Sequence, residues 1–172
     1  VYDIQDNGCR SYTYISTMGM LMEACIEHGK ELIVLDRPNP LGGEKIEGCL
    51  VEDGYISFVS QFKIPYLYGQ TPGELALYLN ATDYDNKCKL TVVKMKGWKR
   101  DMTWDETGLE WVVASPHVPH GQSAIFYPVT GIFGEFSYIS IGVGYTLPFE
   151  VMGAPWISAD TLAEAMNALE LP

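Results

Sequence analysis

A strand–helix–strand pattern near the start of the sequence is the feature that most constrains the fold. Residues 12–28 carry apolar side chains at helical spacing, and Gly29 follows as a residue suited to ending a helix. Residues 31–35 form an apolar run typical of a buried parallel strand, and residues 1–4 have the composition of a short strand before the helix. Two strands joined by a helix make a βαβ unit, so we predict an α/β fold built on a parallel sheet with flanking helices.

A second unit of the same kind follows a long loop at residues 38–54, which is rich in proline, glycine and acidic residues. Residues 64–68 predict a strand. Residues 71–74 (Thr-Pro-Gly-Glu) predict a helix start, because threonine is a good N-cap, proline suits the first helical position and glutamate completes a capping box. This helix should reach about residue 80, and the alternating residues 89–95 predict a further strand.

The second half of the chain has a weaker pattern. From Gly97 onward the period is unclear, and scattered tryptophans and prolines predict an irregular, aromatic-rich segment of the kind that lines clefts. Residues 158–169 predict an amphipathic surface helix capped by Ser158.

Charge and hydropathy exclude two kinds of partner. The sequence has 22 acidic and 11 basic residues, and its formal net charge of -11 repels the phosphates of nucleic acid. No apolar run approaches the ~20 residues that span a bilayer, so we expect no membrane segment in these residues. The first residues also lack the basic start and apolar core of a signal peptide. The sequence sets no expectation for the oligomeric state.

Polar residues follow the first two predicted strands. Asp6 and Arg10 come after the first strand, and Asp36, Arg37 and Asn39 come after the second. Ligands of open parallel sheets bind beyond the carboxyl ends of the strands, where these side chains should meet. Carboxylates, amides and guanidinium groups together suit a polyhydroxylated ligand. The same residues could instead form an Asp–Arg network that only fixes the loops, and the pattern leaves both alternatives open.

Glu135 is the carboxylate with the most suggestive surroundings, because it lies between a glycine and aromatic residues. An apolar setting raises the pKa of a carboxyl group, as a general acid requires, whereas the alternative is an exposed loop glutamate. His117 and His120 are separated by Val-Pro, which excludes a helix that would align them on a metal. The cysteines form no Cys-x-x-Cys pair, and the glycine-rich stretches do not follow the phosphate-loop pattern. We therefore predict neither a metal nor a cofactor.

Six short stretches, in this order, indicate a family. They are DIQD at residues 3–6, RSYTYI at 10–15, VLDRPNP at 34–40, GELA at 73–76, RDM at 100–102 and GAPWI at 153–157. Together they resemble the exo-β-N-acetylmuramidase family of peptidoglycan hexosaminidases, formerly a domain of unknown function. The resemblance covers essentially the whole chain, and LDRPNP is its most specific part.

The resemblance implies a Rossmann-like catalytic domain followed by a smaller auxiliary domain, with the cleft between them. It also implies a catalytic glutamate in a Pro-Glu-His-Gly motif, which the 172 residues do not contain, since Glu27-His28-Gly29 is a different site. We therefore expect an internal fragment that is inactive alone. Residues 1–157 would be the C-terminal portion of the Rossmann-like domain, and 158–172 the start of the auxiliary domain. The parent protein is expected to be secreted or periplasmic.

The sequence thus predicts a bacterial glycoside hydrolase that releases N-acetylmuramic acid from the non-reducing end of peptidoglycan fragments, its muropeptide-derived sugar substrate. Glu135 is the candidate catalytic carboxylate. The predicted substrate-binding residues are Asp6, Arg10, Tyr12, Asp36, Arg37, Asn39, His117 and Tyr145. Val143 stands where many relatives have an arginine, which changes the contacts expected there. The rival hypothesis is a non-catalytic sugar-binding module whose tryptophans and tyrosines stack on sugar rings.

Overall fold

Two parallel strands and four α-helices form the regular structure of residues 1–169, the part of the chain that the computed structural model describes. Two short 3-10 helices, Asp105–Thr107 and Gly131–Glu135, flank the third α-helix. The α-helices and strands run in the order α1 (Tyr14–Glu27), β1 (Glu31–Leu35), α2 (Pro72–Thr82), β2 (Lys89–Val93), α3 (Gly121–Thr130) and α4 (Ala159–Asn167).

The sheet is parallel, as predicted. β1 and β2 pair in register from Glu31 with Lys89 to Leu35 with Val93. On the other side of β1, Tyr2 donates its backbone N–H to the carbonyl of Ile33 at 2.8 Å and accepts from the N–H of Leu35 at 2.9 Å. The predicted first strand is thus a single parallel bridge beside β1. The order is the Tyr2 segment, β1 and β2, with a helix in each connection, which confirms the α/β fold.

The main hydrophobic core lies between the sheet and helices α1 and α2. Both helices contact β1 and also contact each other. Leu32 and Val34 of β1 are buried in this core, whereas Ile33 and Leu35 are only half-buried. The strand predicted as buried is therefore fully buried on one face only. The helix residues of this core are Ile15, Met18, Met22, Leu75, Ala76 and Leu79.

The ends of α1 and α2 follow the chemistry that the sequence predicts. The hydroxyl of Thr71 accepts a hydrogen bond from the N–H of Glu74 at 3.2 Å, and the Glu74 carboxylate accepts from the N–H of Thr71 at 3.1 Å. This confirms the capping box. At the end of α1, Gly29 has a φ of 61°, a conformation that glycine adopts readily, and Lys30 N–H bonds back to Cys25.

Residues 64–68 were predicted as a strand, and that prediction is wrong. The backbone of Leu67 exchanges two hydrogen bonds with Glu47, at 2.9 and 3.1 Å, and the carbonyl of Tyr66 accepts from the N–H of Arg10 at 2.8 Å. The segment is therefore extended, but it pairs with the long loop and with the N-terminal segment rather than with the sheet. The long loop predicted at residues 38–54 contains no helix or strand of the described structure.

The second half contains α3, which the sequence pattern did not predict. Its N-cap is His120, whose Nδ1 accepts from the N–H of Ser123 at 3.3 Å. Pro128 lies within the helix, where a proline normally argues against helical structure. The predicted C-terminal helix is confirmed as α4, with Ser158 as its cap.

A second apolar cluster joins the start of α1 to the C-terminal half. Its buried members are Tyr12, Val118, Ala124, Ile141 and Phe149. The Tyr14 hydroxyl donates to the carbonyl of Ala114 at 2.6 Å, which adds a polar link at the same place. Because Tyr12 comes directly before α1, the C-terminal half packs against the segment that carries the polar residues of the candidate site.

Replacing Thr71 with valine should destabilise the protein. The change keeps the shape of the buried side chain but removes the acceptor for Glu74 N–H and the donor to Asp36. We expect the free energy of unfolding to fall by about 1–2 kcal/mol in urea denaturation. The matched variant Thr82→Val, at the exposed end of the same helix, should change it by less than about 0.5 kcal/mol. Equal effects would contradict the importance of this cap.

Candidate functional site

A run of buried polar residues directly follows the Tyr2 bridge. Gln5, Asp6, Asn7 and Arg10 are all less than a tenth exposed. The amide of Gln5 donates to the carbonyl of Pro38 at 2.8 Å, and this bond links the run to the segment after β1. Gly8 has a φ of 74°, and a Cβ there would lie 2.2 Å from the Asn39 side chain. Only glycine lets these two segments approach so closely.

Asp6 is the most perturbed carboxyl group of this run. One of its oxygens accepts from the N–H of Gly8 at 2.8 Å and from the hydroxyl of Tyr68. Its other oxygen has no hydrogen-bond partner among residues 1–169. Burial raises the pKa of Asp6 to about 6, because desolvation outweighs the hydrogen bonds that favour the charged form. Asp6 can therefore gain or lose a proton close to neutral pH.

Arg10 connects the polar run to the long loop. Its guanidinium group donates to the carbonyl of Cys49 at 2.7 Å and to that of Ile64 at 2.5 Å. It also lies 5.9 Å from the ring centre of Tyr66, within the range of a cation–π contact. Arg10 thus fixes two loop segments while part of its surface faces a cavity.

This cavity, which we call the tyrosine cavity, has a volume of about 620 Å³. Hydroxyl groups converge on it: the Ser11 hydroxyl is 3.1 Å from that of Tyr66 and 3.3 Å from that of Tyr127. Burial raises the pKa of both phenols, so both keep their protons at neutral pH and can donate hydrogen bonds. Glu135 also lines the cavity and is exposed. Of the two alternatives considered for Glu135, the structure shows the exposed glutamate, which lies at the end of a 3-10 helix.

A second cavity, the strand-end cavity, lies at the carboxyl ends of β1 and β2 and has a volume of about 540 Å³. Asp36 and Arg37 follow β1, and Lys96 and Trp98 come after β2. Both cavities share one stretch of chain, since Asp3 lines the strand-end cavity while Arg10 and Ser11 line the tyrosine cavity.

Asp36 also links β1 to α2. One of its oxygens accepts from the N–H groups of Gly73 at 2.8 Å and Arg37 at 3.1 Å, and the other accepts from the hydroxyl of Thr71 at 3.0 Å. Desolvation by burial nevertheless raises its pKa above the ordinary value. The Arg37 side chain contacts Asp3, with its Nε and terminal nitrogen 2.8 and 2.7 Å from the same carboxylate oxygen.

The predicted site residues therefore lie in different parts of the structure and do not form a single site. Asp6 and Asn39 lie in the buried polar run, where Asn39 donates to the carbonyl of Gln70 at 3.0 Å and accepts from Leu41 N–H at 2.9 Å. Tyr12 packs edge-on against Tyr14 and Tyr127, with ring centres 4.8 and 5.5 Å apart.

His117 and Tyr145 lie outside both cavities. Both are exposed, Tyr145 by 66%, and neither lines the tyrosine cavity or the strand-end cavity. Their predicted contacts with the substrate stay predictions.

Three residues of the tyrosine cavity were not predicted from the sequence. They are Ser11, Tyr66 and Tyr127, which meet although 55 and 116 residues separate Ser11 from the two tyrosines. Only Ser11 carried a signal, because it lies beside Arg10 in the polar stretch after the first strand.

Two further observations concern ions and membranes. Within residues 1–169, no three His, Cys, Asp or Glu side chains come together in a group that could hold a metal ion. None of the helices described is both long and apolar enough to cross a membrane.

The parallel sheet, its helices on one face and the polar residues at the strand ends define an α/β protein of the Rossmann-like class. The chain belongs to the exo-β-N-acetylmuramidase NamZ family: residues 1–122 match the model of its N-terminal domain, and residues 125–172 that of its C-terminal domain. These matches meet between residues 122 and 125, while our division at residue 157 stays a prediction.

The chain is also similar to individual proteins of known sequence or structure. The chain is 49% identical over all 172 residues to a peptidoglycan β-N-acetylmuramidase NamZ of Bacillus subtilis and spans 41% of that protein's length. A solved structure of a DUF1343 family protein from Bacteroides fragilis is 64% identical, with a TM-score of 0.93 over 99% of this chain and 45% of its own. Another from the same organism is 35% identical, with a TM-score of 0.81 over 91% of this chain and 44% of its own.

Replacing Asp6 with asparagine should remove a pH dependence of stability. Folding raises the pKa of Asp6 from 3.8 to about 6, so its contribution to stability is complete below about pH 4 and is lost as the pH rises through 6. The wild-type free energy of unfolding should therefore fall by up to about 3 kcal/mol relative to Asp6→Asn between about pH 4 and pH 7. Denaturation at several pH values measures this difference.

The matched control is Asp105→Asn, which replaces an exposed carboxylate. The wild type and this variant should keep a nearly constant difference over the same range. A constant difference between the wild type and Asp6→Asn as well would show that Asp6 does not titrate as its burial requires.

Proposed function

We propose that the natural gene product that carries this sequence is an exo-acting glycosidase, which releases N-acetylmuramic acid from the non-reducing end of peptidoglycan fragments. The observation that carries the proposal is the tyrosine cavity, where an exposed carboxylate lies beside an arginine and three hydroxyl groups. The relative from Bacillus subtilis, 49% identical, is a peptidoglycan β-N-acetylmuramidase, and this supports the same reaction here.

The groups of the tyrosine cavity suit a sugar ring. The Tyr66, Tyr127 and Ser11 hydroxyls can each donate and accept, so they can pair with the hydroxyl and acetamido groups of a hexosamine. Aromatic faces also offer apolar surface to the C–H side of a sugar. The volume of about 620 Å³ lies within the range of ordinary small-molecule sites.

Hydrolysis of a glycoside needs either two carboxyl groups or one carboxyl group assisted by the 2-acetamido group of the substrate. Glu135 is the exposed carboxylate of the tyrosine cavity, so we assign it a proton transfer, either to the oxygen of the scissile bond or from the attacking water. Asp6 is fully buried, and we assign it a positioning role through Gly8 and Tyr68. The resemblance assigns a further catalytic glutamate to a Pro-Glu-His-Gly motif outside these residues.

The direct test is release of free N-acetylmuramic acid from a MurNAc-GlcNAc disaccharide by the natural gene product. Release from the non-reducing end supports the proposal. Binding of the disaccharide without release, by a folded protein, would instead favour the sugar-binding module.

Replacing Glu135 with glutamine should lower kcat by about 10²- to 10⁴-fold, the usual contribution of a positioned acid or base. Binding of the disaccharide should change little, because glutamine keeps the size and hydrogen-bonding reach of the side chain. Steady-state kinetics and calorimetry of the same protein measure the two effects. The matched variant Glu110→Gln, at an exposed position outside both cavities, should retain the wild-type kcat. A wild-type kcat for Glu135→Gln would contradict the catalytic role.

A further inference from the structure

We propose that the strand-end cavity binds a carboxylate carried on a short, partly apolar arm. The lactyl group of muramic acid has this chemistry, and so does a peptide attached to that group. The inference rests on the proposed function, because it names the part of the substrate that this second cavity would recognise.

The charges of the cavity favour one anionic group. Its lining contains two cations and two carboxylates. Arg37 and Asp3 neutralise each other as an ion pair with a shortest N–O distance of 2.7 Å. Asp36 accepts from two donors at the start of α2 and from the N–H of Arg37, so its oxygens are bonded to partners of the protein itself. Lys96 is exposed and forms no ion pair or side-chain hydrogen bond within residues 1–169.

The unpaired Lys96 and the two nearby carboxylates together favour a ligand with a single negative charge. A single carboxylate can pair with the Lys96 ammonium group at a moderate distance from Asp3 and Asp36. A phosphate, with close to two negative charges at neutral pH, would meet stronger repulsion from the same carboxylates. A neutral sugar would leave the ammonium group without a counter-charge. A monoanionic arm is thus the ligand that fits this lining best.

The remaining surface of the cavity is apolar and adaptable. It is formed by the indole of Trp98 and by Pro38, Met95, Met102 and Leu109. Methionine side chains adjust to ligands of different shape, and this suits a methyl group or small amino-acid side chains. The volume of about 540 Å³ exceeds that of one lactyl group, so a short peptide extension can also be accommodated.

Calorimetry with the natural gene product tests the proposal. The ligands are N-acetylmuramic acid, the same sugar with alanyl-alanine on its lactyl carboxyl group, which keeps a single negative charge, and N-acetylglucosamine, which lacks the arm. Lys96→Glu should weaken binding of both acidic ligands by roughly fivefold to tenfold and leave N-acetylglucosamine unchanged. A larger loss for the dipeptide derivative identifies the peptide as the source of the carboxylate, and a larger loss for N-acetylmuramic acid identifies the lactyl group.

The matched control is Lys89→Glu, which makes the same change of charge at the exposed start of β2, away from the strand-end cavity. It should leave the binding of all three ligands within about twofold of the wild type. Equal losses for Lys89→Glu and Lys96→Glu would overturn the inference, since they would reflect net charge alone. Equal affinity of the wild type for the acidic ligands and for N-acetylglucosamine would overturn it too. If Lys96→Glu weakens binding of the acidic ligands selectively but the wild type releases no N-acetylmuramic acid from the disaccharide, the proposed function is contradicted and the inference about the strand-end cavity is not.

Discussion

The burial of a polar run directly after the first bridge of the sheet is the constraint on which the rest of the structure depends. Burying such groups without partners costs several kcal/mol each. The Asn7 side chain and one oxygen of Asp6 have no partner among residues 1–169, but the other oxygen of Asp6 and the side chains of Gln5 and Arg10 are bonded to groups elsewhere in the chain. Pro38, Cys49 and Ile64 supply backbone carbonyls, and Tyr68 supplies a hydroxyl. These bonds hold the long loop and the extended segment against the sheet. The same side chains of the polar run therefore stabilise the fold and form part of the site.

Local chemistry explains why about half of the fold could be predicted from the sequence. The start of α2 depends on residues three positions apart, and β1 and α1 depend on periodicity within a few turns. α3 escaped prediction because its cap is a histidine and its interior contains Pro128, so both local signals pointed away from a helix. Residues 64–68 have strand composition, but their backbone groups form hydrogen bonds with Glu47 and Arg10 instead of with the sheet. Tertiary contacts decided both cases.

The residues of the site show the same difference between what the sequence can predict and what only the folded chain determines. The rule that ligands lie beyond the carboxyl ends of parallel strands led to Asp36 and Arg37, which do line a cavity there. It could not lead to Tyr66 or Tyr127, because neither follows a strand and each reaches Ser11 only through the folded chain. Nor could it indicate how deeply Asp6 lies, since burial is a property of the whole packed structure.

The two cavities differ in the kind of interaction that they offer. The tyrosine cavity presents hydroxyl groups together with Arg10 and Glu135, whereas the strand-end cavity presents Lys96 and an indole ring. At physiological salt, the field of the overall charge of -11 is screened beyond about 8 Å. The charges inside each cavity therefore decide what binds there. One stretch of chain contributes to both walls, since Asp3 lines the strand-end cavity and Arg10 and Ser11 line the tyrosine cavity. A ligand that carries both a sugar ring and an acidic arm therefore matches two different linings, because its ring can pair with the hydroxyl groups and its arm with the Lys96 ammonium group.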